Sequence, residues 1–290
     1  MGENLPIYQM IRIIHQIRKE LGTHYSKGEV DALSRILATE LLQIKESTYF
    51  LKDKVTITSE QQELLDNALR QLCKYKPIQH ILGYENFCNL RFKVNSSVLI
   101  PRPETQELVN WVATETIGKK EILDIGTGSG CIAISLAHKL PSCSVTAWDI
   151  SQSALSIAKE NSVMNGCNII TEQKDILTYE PSEKEKFDII VSNPPYIKEE
   201  EKRDMEANVL DWEPHIALFV PDNDPLLFYH TIARKATRML RPNGKLFFEI
   251  NRAHGKETCI MLEKAGYCNI ELRKDYADND RMICATFKAP

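Results

Sequence analysis

Apolar residues recur every three to four positions through the first part of the chain and then give way to short apolar runs separated by turns. Ile7, Met10, Ile11, Ile14, Ile17 and Leu21 fall on one helical stripe, as expected when side chains of successive turns share a face. Ser26 and Glu29 stand in capping-box spacing ahead of Val30, Leu33, Ile36, Leu37, Leu41 and Ile44, which predicts a second helix. Ser59 heads a third, with Leu64, Leu65, Ala68, Leu69 and Leu72 expected inward. Residues 1–76 thus read as a small helical bundle with short connections. They carry no chemical motif, so the bundle is either a packing appendage or a substrate-recruiting domain.

The texture changes at Lys76. Residues 77–100 read as a connector: a turn-prone stretch, Pro77 to Gly83, then a β-hairpin from Tyr84 to Val94 closing around Cys88-Asn89. Residues 101–290 alternate strand and helix. A helix carries Leu108, Val109, Val112 and Ala113, and strands are expected at 121–125, 144–148, 168–172, 187–192 and 245–250. Between them come helices at 131–139, 151–165, 225–240 and 255–265, a pattern that predicts a doubly wound, mostly parallel sheet. Two last strands, 267–273 and 281–287, are expected as an antiparallel edge pair. The charged stretch Lys198 to Glu206 reads as a lip.

The run Phe187 to Ser192 ends in Asn193-Pro194-Pro195-Tyr196. Two consecutive prolines cannot continue a central strand, so the backbone leaves the sheet rigidly at its carboxyl end, where open α/β sheets place their ligands. A planar NH2 group conjugated to a carbonyl or a ring is a poor nucleophile because its lone pair is delocalised. The Asn193 side-chain oxygen and the Pro194 carbonyl can each accept one of its N–H bonds while Tyr196 packs on its flat face. The plainer alternative is a Pro-Pro turn capped by Asn193.

A second anchor is Asp124-Ile125-Gly126-Thr127-Gly128-Ser129-Gly130, where a strand runs into a glycine-rich turn and then a helix. Such a turn allows close backbone approach, and the helix start offers free N–H groups. About twenty residues on, at the end of the next strand, Asp149 can accept both hydroxyls of a ribose. A nicotinamide dinucleotide is the first rival, but the spacing is G-x-G-x-G and not the G-x-G-x-x-G of dinucleotide sites. The tighter form suits S-adenosylmethionine. Asp175 and Ile176 follow the third strand, either beside the adenine or as an ordinary turn. Arg102 and Glu104, set between and beside Pro101 and Pro103, form either a solvated ion pair or a substrate-facing element.

Composition narrows the classes. With 290 residues, 43% hydrophobic and 26% charged, the chain suits about two soluble domains. A net charge of −4 gives no general pull toward nucleic acid. The eight cysteines form no C-x-x-C pair and no metal cluster with histidine, and so read as reduced thiols, mostly small core residues of a cytoplasmic protein. The first residues, interrupted by Arg12, His15 and Arg18, read as neither signal peptide nor membrane span. No metal site is indicated.

Together, Pro101-Arg102-Pro103-Glu104-Thr105, the stretch Asp124 to Ala133 and Asn193-Pro194-Pro195-Tyr196-Ile197 resemble the PrmC/HemK family, the N5-glutamine methyltransferases of peptide-chain release factors. Glu213-Pro214, Ala217-Leu218, Phe228-Tyr229 and Asp280-Arg281 are also similar, and the resemblance spans essentially the whole chain. It implies a class I S-adenosylmethionine-dependent methyltransferase fold, Rossmann-like with a mostly parallel seven-stranded sheet, joined by the β-hairpin to the N-terminal bundle. It implies a donor held by Gly126, Thr127, Gly128, Ser129, Gly130, Asp149, Asp175 and Asn193, leaving as S-adenosylhomocysteine. The substrate is implied to be the glutamine of the Gly-Gly-Gln loop in class 1 release factors. Asn193, Pro194, Pro195 and Tyr196 would form the catalytic grip, with Arg102 and Glu104 on the substrate rim. The protein would be a monomer when free, with no direct nucleic-acid or membrane partner. The alternative is an amino methyltransferase of adenine N6 type, which shares the tetrapeptide. Departures from the family pattern fall at Gln106, Asn251, His254 and Asp278.

Overall fold

Residues 7–288 are described by the computed structural model. They fall into two units, Met1–Gly83 with Glu206–Trp212, and Tyr84–Met205 with Glu213–Pro290. In the helical unit, strand β1 (Ile7–Gln9) precedes α1 (Met10–Leu21), so Ile7 lies outside the expected helix, and residues 1–6 of the expected non-signal stretch lie outside the described residues. Helix α1 buries Met10, Ile13, Ile14, Ile17 and Leu21, whereas Ile11, expected inward, is turned about 100° from Met10 and left exposed. Helix α2 (Lys27–Ile36) starts on the expected capping box, Ser26 and Glu29 each accepting from the other's backbone N–H. It continues through a π-helical turn at Leu37–Leu41.

Helix α3 (Glu46–Leu51) was not legible in the pattern because it buries nothing. β2 (Lys54–Thr56) then pairs antiparallel with β1. Helix α4 (Ser59–Leu72) is capped by Thr58, one residue before the expected start, and its Leu64 points outward while Leu65, Ala68, Leu69 and Leu72 are buried. The turn-prone stretch after Pro77 is a short helix, α5 (Ile78–Leu82), ended by Gly83 in the left-handed region (φ 81°) that glycine tolerates best. Within this unit the Trp212 indole donates to the Lys74 carbonyl.

In the second unit, β3 (Tyr84–Phe87) and β4 (Leu90–Lys93) form the expected hairpin, with Cys88 and Asn89 both at positive φ, the geometry of a tight two-residue loop. Helix α6 (Pro103–Glu115) has its proline in the first turn, where the missing N–H costs nothing. The alternation continues through β5 (Glu121–Ile125), α7 (Cys131–Lys139), β6 (Ser144–Asp149), α8 (Gln152–Met164), β7 (Ile170–Gln173) and β8 (Phe187–Ser192). β7 begins two residues later than expected.

After the tetrapeptide, β9 (Ile197–Lys198) runs into a 3-10 turn at Glu199–Asp204. The expected lip is therefore tied down, since β9 pairs in parallel with β10 (Phe219–Val220) and the Glu200 N–H donates to Asp222. Between them lies α9 (Ala207–Leu210), part of the helical unit. The chain ends with α10 (Leu227–Met239), β11 (Leu240–Glu249), α11 (Gly255–Lys264), β12 (Tyr267–Lys274) and β13 (Asp280–Phe287). β11 includes the expected turn at 241–244 as an irregularity in its pairing with β8.

The seven-stranded sheet has the order β12-β13-β11-β8-β5-β6-β7. Its first five strands in sequence are parallel, and β13 is inserted antiparallel between β11 and the edge strand β12. The order reverses beside β5, so the carboxyl ends of β5 and β8 open a crevice there. Alternation splits the core: Ile190 and Phe248 pack on one face, Val191 and Phe247 on the other. All eight cysteines are free; Cys284 is buried, and Cys73, Cys88, Cys131, Cys143, Cys167 and Cys259 are partly buried against the cores, as expected of small core residues. No helix among the described residues is long and apolar enough to cross a membrane.

Candidate active site

The crevice holds a cavity of about 200 Å³ in which both sequence anchors meet. Gly126, Gly128, Asp149, Asp175, Asn193, Pro194 and Pro195 line it, with Ile125, Ile176 and Phe228 among its apolar walls. Gly126 (φ 74°) and Gly128 (φ 55°) need their left-handed backbone, and open space lies where their Cβ atoms would stand. Gly130 works differently. A Cβ there would come within 2.8 Å of Ile134 Cδ1 and 3.1 Å of Ala158 Cβ, so this glycine allows α7 and α8 to pack. Thr127, Ser129, Gly130 and Tyr196 do not line the cavity.

Asp149 is fixed from two sides: Oδ2 accepts the Gly128 N–H and Oδ1 the Ser151 N–H, each at 2.8 Å. Each oxygen keeps a lone pair for a ligand. Burial raises its pKa, and the backbone N–H groups of Ser151, Gly128 and Ile150 oppose that shift. Asp124, at the end of β5, is fully buried and pushed up to about 7 by that burial, although its Oδ2 accepts the Thr127 hydroxyl at 2.7 Å. Asp175 lines the cavity, and its oxygens accept from Leu177 N–H and Thr178 Oγ1, bonds that hold the turn at the cavity's edge.

Behind the cavity wall a polar chain runs through the tetrapeptide. Asn193 Nδ2 donates to Thr105 Oγ1 at 3.4 Å, Thr105 Oγ1 donates to Glu249 Oε2 at 2.6 Å, and Tyr196 OH donates to Glu249 Oε1 at 3.4 Å. Glu249 is buried, which pushes its pKa up to about 6 against the opposing effects of Thr105 and Arg281. Asn251 Nδ2 donates to the Tyr196 carbonyl at 3.3 Å. Of the departures from the family pattern, Asn251 is therefore the one that touches the tetrapeptide. Gln106 accepts the Cys88 N–H of the hairpin, His254 pairs with Glu257, and Asp278 sits at φ 64°, where an aspartate is tolerated.

Arg102 does not pair with Glu104. Its guanidinium meets Glu213 at 2.5 Å, and Glu213 also accepts the Ile100 N–H at 3.0 Å. Glu213 is buried and lies next to Pro214, while Ile100 follows Val98 and Leu99, and all three of these neighbours line the cavity. The pair fastens two walls together. Neither Arg102 nor Glu104 lines the cavity itself. Asn161 of α8 was missed in the sequence: its side chain bonds Lys93 N–H, Lys93 C=O and Ser129 C=O, tying the hairpin to the glycine turn. Its mark in the sequence is an asparagine inside a helical segment, where that residue is a poor helix former.

The cradle fits a nucleoside: open space above two positive-φ glycines, a carboxylate that can accept from a ribose, and apolar walls for a base. This fold and site define a class I S-adenosylmethionine-dependent methyltransferase. Residues 103–211 match the Methyltransferase small domain and residues 12–83 the PrmC N-terminal domain. A crystal structure of a methyltransferase from Pyrococcus furiosus shares the fold, with a TM-score of 0.51 over 80% of this chain and 100% of that one at 16% identity. The release factor glutamine methyltransferase of Bacteroides thetaiotaomicron is 45% identical across 95% of this chain and 99% of its own length. That of Flavobacterium psychrophilum is 46% identical across 94% and 97%. The chain belongs to the release factor glutamine methyltransferase family.

Proposed function

We propose that the chain transfers a methyl group from S-adenosylmethionine to the side-chain amide nitrogen (N5) of the glutamine in the Gly-Gly-Gln loop of class 1 peptide-chain release factors. The observation that carries this reading is that Asn193 and Pro194 share one cavity with Gly126, Gly128 and Asp149. The backbone at Gly126 and Gly128 and the Asp149 carboxylate hold the donor, Asp149 at its ribose, with Asp175 and Ile176 toward the adenine. When bound, the donor supplies an electrophilic sulfonium methyl.

The chain's own residues do the positioning. Asn193 Oδ1 and the Pro194 carbonyl each accept one N–H of the substrate amide, which turns the nitrogen's weak lone pair toward the cavity. Pro195 stiffens the backbone carrying both acceptors. Such fixed acceptors favour the more positive nitrogen of the transition state. Tyr196, pinned through its hydroxyl to Glu249, packs beside the amide plane. The proton displaced from nitrogen leaves to water. Arg102 contributes by holding Glu213, and Glu104 stands as a rim residue.

The helical unit recruits the release factor, because a side-chain amide alone cannot distinguish one protein from another. The enzyme works in the cytoplasm, monomeric when free, on protein and not on nucleic acid. Labelled donor incubated with purified release factor, with the same factor carrying alanine for the loop glutamine, and with DNA and RNA tests the reading. Label is expected in the first alone, on glutamine by peptide mass spectrometry. Label in nucleic acid and none in the factor overturns it in favour of an adenine-type amino methyltransferase.

A further inference from the structure

An asparagine side chain has two ends of nearly equal size, one accepting and one donating hydrogen bonds. Only with its oxygen toward the cavity can Asn193 hold a substrate N–H. Packing cannot choose between the two ends, so a hydrogen bond must. Thr105 Oγ1 lies 3.4 Å from the Asn193 amide nitrogen. A hydroxyl has a single hydrogen, and that of Thr105 is committed to Glu249 Oε2 at 2.6 Å. Thr105 therefore offers Asn193 only lone pairs, and only the NH2 end of the amide can satisfy them.

The commitment of Thr105 depends in turn on Glu249 being an acceptor at both oxygens. Its other oxygen takes the Tyr196 hydroxyl. Thr105 and Glu249 are exposed by only 2% and 1%, so water does not compete for these bonds. Burying a carboxylate at the end of a sheet strand is unfavourable compared with an apolar residue. A charge retained there points to a task that an apolar residue could not perform.

We propose that Glu249 and Thr105 are positioning residues: Glu249 fixes the Thr105 hydroxyl, which presents the Asn193 amide oxygen to the substrate, and the same carboxylate anchors the Tyr196 ring. This rests on the reading of Asn193 as the grip on the substrate amide. A glutamine at 249 would place a donor at one of the two hydroxyls. If that hydroxyl is Thr105, it can accept from the new NH2 group, its own hydrogen is released, and the Asn193 amide is free to turn over.

The test uses the full-length chain with Thr105→Val, Thr105→Ser, Glu249→Gln, Asn193→Ala and the Asn193→Ala/Thr105→Val double variant. Single-turnover methylation of release factor is read beside KM for the factor and calorimetric Kd for the donor. Thr105→Val and Glu249→Gln are expected to lower the rate about 10- to 100-fold, the scale of a misplaced reacting group. KM and donor Kd should stay within about threefold, and Thr105→Ser should restore the rate. In the Asn193→Ala background, Thr105→Val should cost almost nothing further, because the group it orients is gone. A folded Thr105→Val enzyme at wild-type rate, or one that loses the same factor with and without Asn193, overturns the positioning role. An Asn193→Ala enzyme at wild-type rate overturns the grip itself, and the positioning with it. Should Glu249→Gln fail to fold, the valine and serine variants at Thr105 still decide.

Discussion

The two units are stabilised in different ways. Among the described residues, every buried charged side chain lies in the second unit: Asp124, Glu213, Lys235, Glu249 and Asp275. The helical unit has a core of aliphatic residues such as Met10, Ile17, Leu21, Leu65 and Leu69, with its ion pairs Arg18–Asp31 and Arg35–Glu46 about half exposed. Burying a charge is unfavourable unless it is paired or hydrogen-bonded. Each buried charge in the second unit has such partners, and several of them hold the site. Glu213 fastens two cavity walls, Glu249 braces the tetrapeptide, and Lys235 donates to the carbonyls of Leu177 and Tyr179 next to the Asp175 turn. The lesson is that one unit places charged groups inside its core where geometry must be unique, while the other keeps its charges at the surface around an aliphatic core.

The sharpest break in the comparison is at the tetrapeptide. Asn193→Ala is expected to lower single-turnover methylation about 10²- to 10³-fold, the range for one lost preorganised partner, with unfolding unchanged. A rate within threefold of wild type, at saturating donor, counts against Asn193 as the grip.

Stability against pH should also divide the units. Asp124 and Glu249 are raised to about 7 and about 6 by burial, while in the unfolded chain they titrate near 4. Around Glu249 stand Thr105, Tyr196, Arg281 and Glu104; around Asp124, Thr127 and Asp149. In between, the folded state keeps protons that the unfolded state has released, so unfolding free energy falls as pH rises from about 4 to about 7. Asp124→Asn should remove on the order of 2–4 kcal/mol of that fall, since one proton held only by the folded state is worth about 1.4 kcal/mol for every pH step of one. Urea denaturation between pH 5 and pH 8 can follow it, because Trp111 and Trp148 report the second unit and Trp212 the helical one. A transition equally pH-dependent at Trp212 would erase the contrast.

Next in size is the donor. Asp149→Ala should weaken S-adenosylmethionine binding by roughly 1.5–3 kcal/mol, as for lost hydrogen bonds to a charged group. Calorimetry with unchanged affinity would remove Asp149 from the ribose. The smallest effect belongs to the helical surface. Arg18→Ala removes an exposed pair with Asp31 and should cost less than about 1 kcal/mol in thermal or urea unfolding. It should leave methylation of a short Gly-Gly-Gln peptide untouched.

Much of this molecule was legible from local rules. The capping box at Ser26, the hairpin at Cys88-Asn89, the strand-to-glycine turn at Gly126 and the exit of β8 at Pro194 each depend on neighbours within a few residues, where backbone sterics and period decide the outcome. Helix α3 escaped because it buries nothing, and Leu64 and Ile11 were misassigned because an apolar residue at the edge of a stripe looks like one inside it.

Partnerships between distant residues are another matter. Arg102 faces Glu213 and not its neighbour Glu104, Asn161 reaches back to Lys93, and Thr105 finds Glu249 across 144 positions of sequence. The sequence by itself determined the elements, the two anchors and the kind of chemistry they can carry, because those follow from residue type and short spacing. Only the tertiary structure decided which polar groups would share a buried bond. That choice is made when the sheet closes and each desolvated donor must take the acceptor that packing brings within reach.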